Sequence, residues 1–230
     1  MKKYYGVITI ALIAASCQDT EIANSKDVNP ETIYTSYSVV YREDDNKVET
    51  RAQFRFGGIT GTTLVLNAPS SIKLNGRILS VDSTKAQGAF YDAVFNTAAF
   101  TGKHTYVFTN ANNKIYTNEF VFKPLKLVTK IPATITAKNL ALSFTGLKDG
   151  SLVNITVADT AFKTDNIAVT DTLQNGTITI NANSLKALSS GPLRINIDAF
   201  ITGPLQQKTT EGGKLTIRHA LKERATILKQ

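Results

Sequence analysis

Two histidines, one cysteine and an adjacent carboxylate pair are the residues of this 230-residue chain whose types suit catalysis or metal binding. A metal site or an activated nucleophile needs several such groups to converge. His104 and His219 are 115 positions apart, and neither has a cysteine, histidine or carboxylate at ligand spacing. His104 alternates with Tyr106 and Phe108, and His219 shares a face with Leu215 and Ile217, so both read as hydrogen-bonded histidines on strand faces. Asp44 and Asp45 sit in a run, 43–49, without the alternating oxygen ligands and turn glycine of a calcium loop. Gly-rich phosphate loops, nucleophile elbows and His-Glu zinc motifs do not occur. No catalytic residue, metal ligand or cofactor is assigned, and the expectation is a protein that is not an enzyme.

A single cysteine also excludes intramolecular disulfides and Cys-rich zinc clusters. Its position gives it another role. Lys2 and Lys3 precede a run of apolar and small residues, 4–15, and then Ser16 and Cys17. A basic start, a short apolar stretch and small residues before a cleavage point describe a secretory signal peptide, assigned here to 1–16. The run is too short to span a bilayer, which takes about 20 residues. Ala14-Ala15-Ser16-Cys17 resembles the lipobox of bacterial lipoproteins, although Ala14 departs from the commoner leucine. The resemblance implies that Cys17 becomes an acylated N-terminus, carrying palmitate-type chains that attach the protein to a membrane. Two or more chains give stable anchoring. Residues 17–30 are polar and read as a lipidated start followed by a flexible tether, able to lift the body by up to roughly 40 Å. Asp19 and Glu21 resemble the surface-export signal of Bacteroidetes lipoproteins. The expected location is the outer membrane, lipid-anchored, facing either the cell surface or the periplasm.

From residue 33 onward the dominant period is two. In 47–56, Val48, Ala52, Phe54 and Phe56 share one face and charged or polar residues fill the other, the pattern of a half-buried antiparallel strand. The run 33–41 is its partner, and the acidic 42–46 is the hairpin loop between them. Strands follow at 62–66, 72–74, 77–81, 89–95, 103–109 and 115–122, with an Asn75-Gly76 hairpin turn. Pro124 and Pro132 bracket a linker, 124–131, between β-sandwich domains at 31–123 and 132–230. The second half continues with strands at 134–137, 140–145, 151–158, 167–170, 177–180, 193–201 and 214–221. One helical turn is expected at 184–188, capped by Asn183 or Ser184.

The fold class is therefore all-β, two tandem immunoglobulin-like antiparallel sandwiches after a lipoprotein signal peptide and tether. The chain resembles the two-domain, immunoglobulin-like β-sandwich lipoproteins of Bacteroidetes. That resemblance rests on the lipobox, on the segments 102–109 and 114–120, and on 176–180 leading into 184–188. It implies a fold and an envelope location, not an activity.

With 26 basic and 18 acidic residues the chain carries +8, and removing Lys2 and Lys3 leaves +6. Residues 18–46 hold seven acids and two bases, whereas 205–230 hold six bases and two acids. Within that basic end Lys214, Arg218 and Lys222 fall on one face with Arg224 beside them. The stripe is a candidate surface for an acidic glycan or another anionic partner, or else a row of charges guarding an edge strand. Export and the lack of a recognition motif exclude nucleic acid as a partner. Tyr34, Tyr37, Tyr41, Tyr91, Tyr106 and Tyr116 all belong to the first half and read mainly as core fillers. The functional expectation is a non-catalytic, lipid-anchored binding or assembly module of the cell envelope. Its alternatives are a glycan-capturing accessory lipoprotein of a polysaccharide uptake system and an adhesion or fimbria-like component that contacts an envelope protein.

Overall fold

A computed structural model describes residues 21–229. Cys17 and the expected signal peptide lie outside the described residues. The first half contains β1 (Ile22–Asn24), β2 (Ile33–Arg42), β3 (Lys47–Phe56), β4 (Thr62–Val65), β5 (Ser71–Leu74), β6 (Arg77–Ile78), β7 (Val81–Thr84), β8 (Gly88–Asn96), β9 (Gly102–Thr109) and β10 (Ile115–Phe122). The second contains β11 (Lys126–Leu127), β12 (Thr134–Thr136), β13 (Leu140–Thr145), β14 (Leu152–Asp159), β15 (Ile167–Thr172), β16 (Thr177–Ile180), α1 (Ala182–Lys186), β17 (Gly191–Pro204), β18 (Gly213–Ala220) and β19 (Arg224–Lys229). The all-β class is as the alternation requires. Burial follows the pleat along β2, where every odd residue from Ile33 to Tyr41 is buried.

In the first half one sheet carries β1-β4-β3-β2, with β8 and β7 continuing beside the start of β3. A second sheet, β10-β9-β5-β6, supplies the opposite layer. Tyr37 and Tyr106, one from each sheet, stack at 4.1 Å with their planes 10° apart. Phe54 and Phe108 meet at 4.5 Å. Five of the six tyrosines are buried core residues, as expected, and Tyr34 is half-buried. In the second half β15-β14-β17-β19-β12 form one layer and β11-β13-β16 the other. The helical turn sits two residues earlier than expected, because Asn181 and not Asn183 or Ser184 supplies the cap, its Oδ1 accepting from Ser184 N–H at 2.8 Å.

Residues 22–28, expected as part of a flexible tether, are docked on the first half. β1 pairs in parallel with β4, Ser25 has no solvent exposure, and its Oγ accepts from Asn67 N–H at 2.9 Å. Ala23 and Val28 pack against the core. Glu31 receives hydrogen bonds from Lys114 Nζ and Tyr116 Oη at 3.0 and 2.9 Å. These two donors hold its carboxyl below the usual carboxylate range. Polar composition concealed the docking, since one buried serine and two small apolar contacts leave no periodic signal. From Cys17 to Glu21 the chain can reach only about 14 Å.

The halves are also joined beyond the linker. β17 is 14 residues long. Its start pairs with β14 and β19, but from Asp198 to Pro204 it leaves the second core and pairs with β18. β18 then lies parallel to β2, in register from Gly213 opposite Thr35 to Ala220 opposite Arg42. One sheet therefore runs through both halves. Gly213 permits the close approach, because a Cβ there would stand 2.5 Å from the Thr35 carbonyl oxygen. At the tip of the hairpin Leu205 is buried, and Thr209 donates to the Ile33 carbonyl at 2.6 Å.

The same tip covers an exposed edge. β10 borders the second sheet of the first half, and its outward N–H groups need partners. Gln206 places its amide there as a peptide would, accepting from Glu119 N–H at 2.8 Å and donating to the Glu119 carbonyl at 3.1 Å. Gln207 accepts from Thr117 N–H at 2.7 Å and exchanges two backbone hydrogen bonds with the Asn118 side chain. Strand and tip together hold both layers of the first sandwich to the second half.

Candidate binding site at the junction

His104 is the hydrogen-bonded core histidine the sequence describes. Its Nδ1 faces Asn75 Nδ2 at 2.8 Å and its Nε2 faces the Phe100 carbonyl at 2.6 Å, so Nε2 carries the proton. The ring stacks on Phe100 at 3.7 Å. Burial lowers its pKa, with the Phe100 carbonyl acting in the opposite sense.

His219 differs. It is 1% exposed and lies against the rings of Phe122 and Tyr41. Its Nδ1 accepts from Leu125 N–H at 3.3 Å, which leaves the proton on Nε2. Burial pushes its pKa down to about 4, so the ring is neutral at neutral pH. Nε2–H has no acceptor among the described residues.

His219 forms part of a cleft of about 470 Å³ between the halves, within the range of small-ligand sites. Four chain segments build it. β10 and its continuation contribute Val121, Phe122 and Lys123; the loop before β14 contributes Gly146, Leu147, Lys148 and Ser151; β17 and β18 contribute Ile201, Ile217 and His219. Ile201 and Ile217 are Cα partners across the hairpin. Val121 is 60% exposed and Ile201 39%, so the walls present apolar surface. Lys123 and Lys148 are exposed and make no ion pair among the described residues. Gly146 fixes one wall: with φ of +100° and a Cβ position only 2.1 Å from the Pro124 carbonyl oxygen, no other residue fits there without movement. None of the cleft residues is among the binding candidates Lys214, Arg218, Lys222 and Arg224.

The basic stripe is arranged differently from expectation. β18 lies between β17 and β2, so it is an interior strand and its charges guard no edge. Lys214 is beside Ser36 and Pro204, Arg218 beside Val40 and Phe200, while Lys222 and Arg224 lie at and beyond the turn after the strand. The four run along the sheet and do not converge. Arg218 donates twice to Asp198 Oδ1, at 2.9 and 2.7 Å, with its guanidinium 5.5 Å from the Phe200 ring centre. Arg224 bonds both oxygens of Glu43, at 3.0 and 2.9 Å. The outer face that carries Lys214 and Arg218 also holds Ser36, Ser38, Thr202 and Thr216, and its charges pair within the face through Arg42 with Glu49 and Arg51 with Asp92, whereas Arg224 lies on the other side of the sheet, opposite Ile195. No group of three or more metal-ligating side chains occurs among the described residues.

No family model and no curated protein matches the chain. Among solved structures it is similar to a cytokine receptor complex, at 10% identity over 84% of this chain and 95% of that one, with a TM-score of 0.30. It is similar to the paired immunoglobulin domains IG1 and IG2 of DIP-gamma at 6% identity, over 86% and 95% of the two chains, with a TM-score of 0.23. A third likeness is to SGBP-B of the Bacteroides ovatus mixed-linkage glucan utilization locus, in complex with a heptasaccharide. There the identity is 11%, the coverage 80% of this chain and 53% of that one, and the TM-score 0.22. Likenesses of this size carry no functional information.

Proposed function

We propose that the protein is a non-catalytic binding or assembly module of the cell envelope, attached to the outer membrane by acyl chains on Cys17. The observation that carries this reading is the junction. A parallel β2–β18 ladder and the Gln206–Gln207 clamp hold two sandwiches in one orientation and leave a preformed concave site between them. Preorganisation lowers the ordering cost of binding. The two histidines sit apart, each among aromatic rings, and neither is joined to a carboxylate that would activate it. If Cys17 is acylated, the start of the first half stands within about 14 Å of the lipid.

Glycan capture is the second reading, favoured by the outer face of the continuous sheet, where serine and threonine hydroxyls flank a 42% exposed Phe200. Affinity electrophoresis of the purified protein against envelope and plant polysaccharides, run alongside crosslinking in intact cells, separates the two. Retardation by a polysaccharide supports capture, and a discrete adduct with an envelope protein supports assembly. Failure of both removes the binding-module reading.

A further inference from the structure

Gln206 and Gln207 occupy the edge of β10 only as far as Glu119. Thr117 and Glu119 turn their N–H groups outward to these two residues. By the alternation of an antiparallel ladder, Val121 turns its N–H and carbonyl to the same side. Nothing among the described residues meets them, and Val121 lies in the wall of the junction cleft. One unoccupied step of a strand edge thus opens into a cavity with apolar walls, an imidazole N–H on its lining without an acceptor among the described residues and two unpaired ammonium groups.

We propose that this cleft is a peptide-binding site that takes a short extended segment carrying an apolar side chain and a carboxylate. The segment continues the edge where Gln206 leaves off, exchanging backbone hydrogen bonds with Val121. Its apolar side chain lies between Val121 and the Ile201–Ile217 pair. A carbonyl oxygen accepts from His219 Nε2–H, and the carboxylate meets Lys123 and Lys148. Each partner supplies what the cleft lacks: an acceptor for the imidazole donor, an anion for two cations and a strand for an open edge. An apolar molecule alone leaves the imidazole donor unsatisfied, and a polysaccharide brings no anion unless it is acidic. This inference rests on the binding-module reading and names the ligand class of the junction site.

The test is calorimetric titration of the purified protein with acetyl-Ala-Val-Leu bearing a free carboxylate, with the same tripeptide as its C-terminal amide, and with octanoate. The free acid should bind saturably and the amide at least tenfold more weakly. Replacing both lysines, Lys123→Gln with Lys148→Gln, should reduce affinity for the acid by the same factor and leave the amide unchanged. Val121→Pro removes an outward N–H at a strand edge, where proline is tolerated, and should abolish binding of both peptides while the melting temperature stays within a few degrees. Equal affinity for acid and amide overturns the carboxylate assignment. Octanoate binding as tightly as the acid tripeptide overturns the peptide assignment in favour of a small apolar anion. If no probe binds at millimolar concentration the inference falls, while the polysaccharide and crosslinking experiments still decide the broader function.

Discussion

Lowering the pH from 7 to 5 should cost the folded protein about 2 kcal/mol through His219 alone. The ring is buried against Phe122 and Tyr41, and its pKa is about 4, against about 6.5 in an unfolded chain. Above pH 6.5 the imidazole is neutral in both states and its contribution to stability is fully present. As the pH falls below 6.5 the unfolded chain takes up a proton that the native ring refuses until the pH nears 4. In the middle of that window stability falls by about 1.4 kcal/mol per pH unit. Carboxylates held low in the native state, Glu31 and Glu49 among them, act in the same direction but mainly below the ordinary glutamate value of 4.5, outside the range compared. His104 is also depressed, so the clean measurement is a difference between wild type and His219→Gln, whose amide can still accept from Leu125 N–H. Urea unfolding at pH 7 and pH 5 should show wild type losing about 2 kcal/mol more than the variant, or about 4–8 °C in melting temperature for a chain of this size. An identical loss in both proteins would refute the buried, neutral state of His219.

Other perturbations address the junction and the anchor. Gly146→Ala forces a methyl onto the Pro124 carbonyl at a left-handed φ and should cost about 2 kcal/mol or more in thermal unfolding; a neutral result would show that the cleft wall is not tightly packed. Leu205→Ala removes the buried side chain at the hairpin tip and should cost about 2–5 kcal/mol in urea unfolding. Gln206→Ala should cost about 1 kcal/mol and speed hydrogen exchange at the Glu119 amide, with little change at the Tyr106 amide within the sheet. Cys17→Ser should abolish palmitate labelling and release the protein from the membrane fraction; full retention would remove the anchor from the proposal.

Strands were legible wherever burial alternates with a period of two. Residues 47–56 match β3 at both ends, and the Asn75-Gly76 turn separates β5 from β6, with Asn75 and Gly76 both at positive φ. β1 was invisible because three residues in a parallel pair with β4 leave no alternation to read. β19 left no readable alternation because its polar Thr226 is buried while its apolar Ile227 is half exposed. Strand order was the larger gap. Lys214 and Arg218 have the composition of edge guards, and only the β2 ladder, formed by residues nearly 180 positions away, makes β18 an interior strand. The cleft shares that difficulty. Val121, Gly146, Ile201 and His219 each look like ordinary strand or loop residues, and the site exists only because β17 crosses from one sandwich to the other.

The central claim is that the two halves form one body with a binding site at their junction. Residual dipolar couplings of the amide-labelled protein in a dilute aligning medium measure this directly. A single alignment tensor is expected to fit residues 33–122 and 134–229 together, with the β2–β18 amides among the best-fitted. Separate tensors of different magnitude and orientation for the two halves would contradict it.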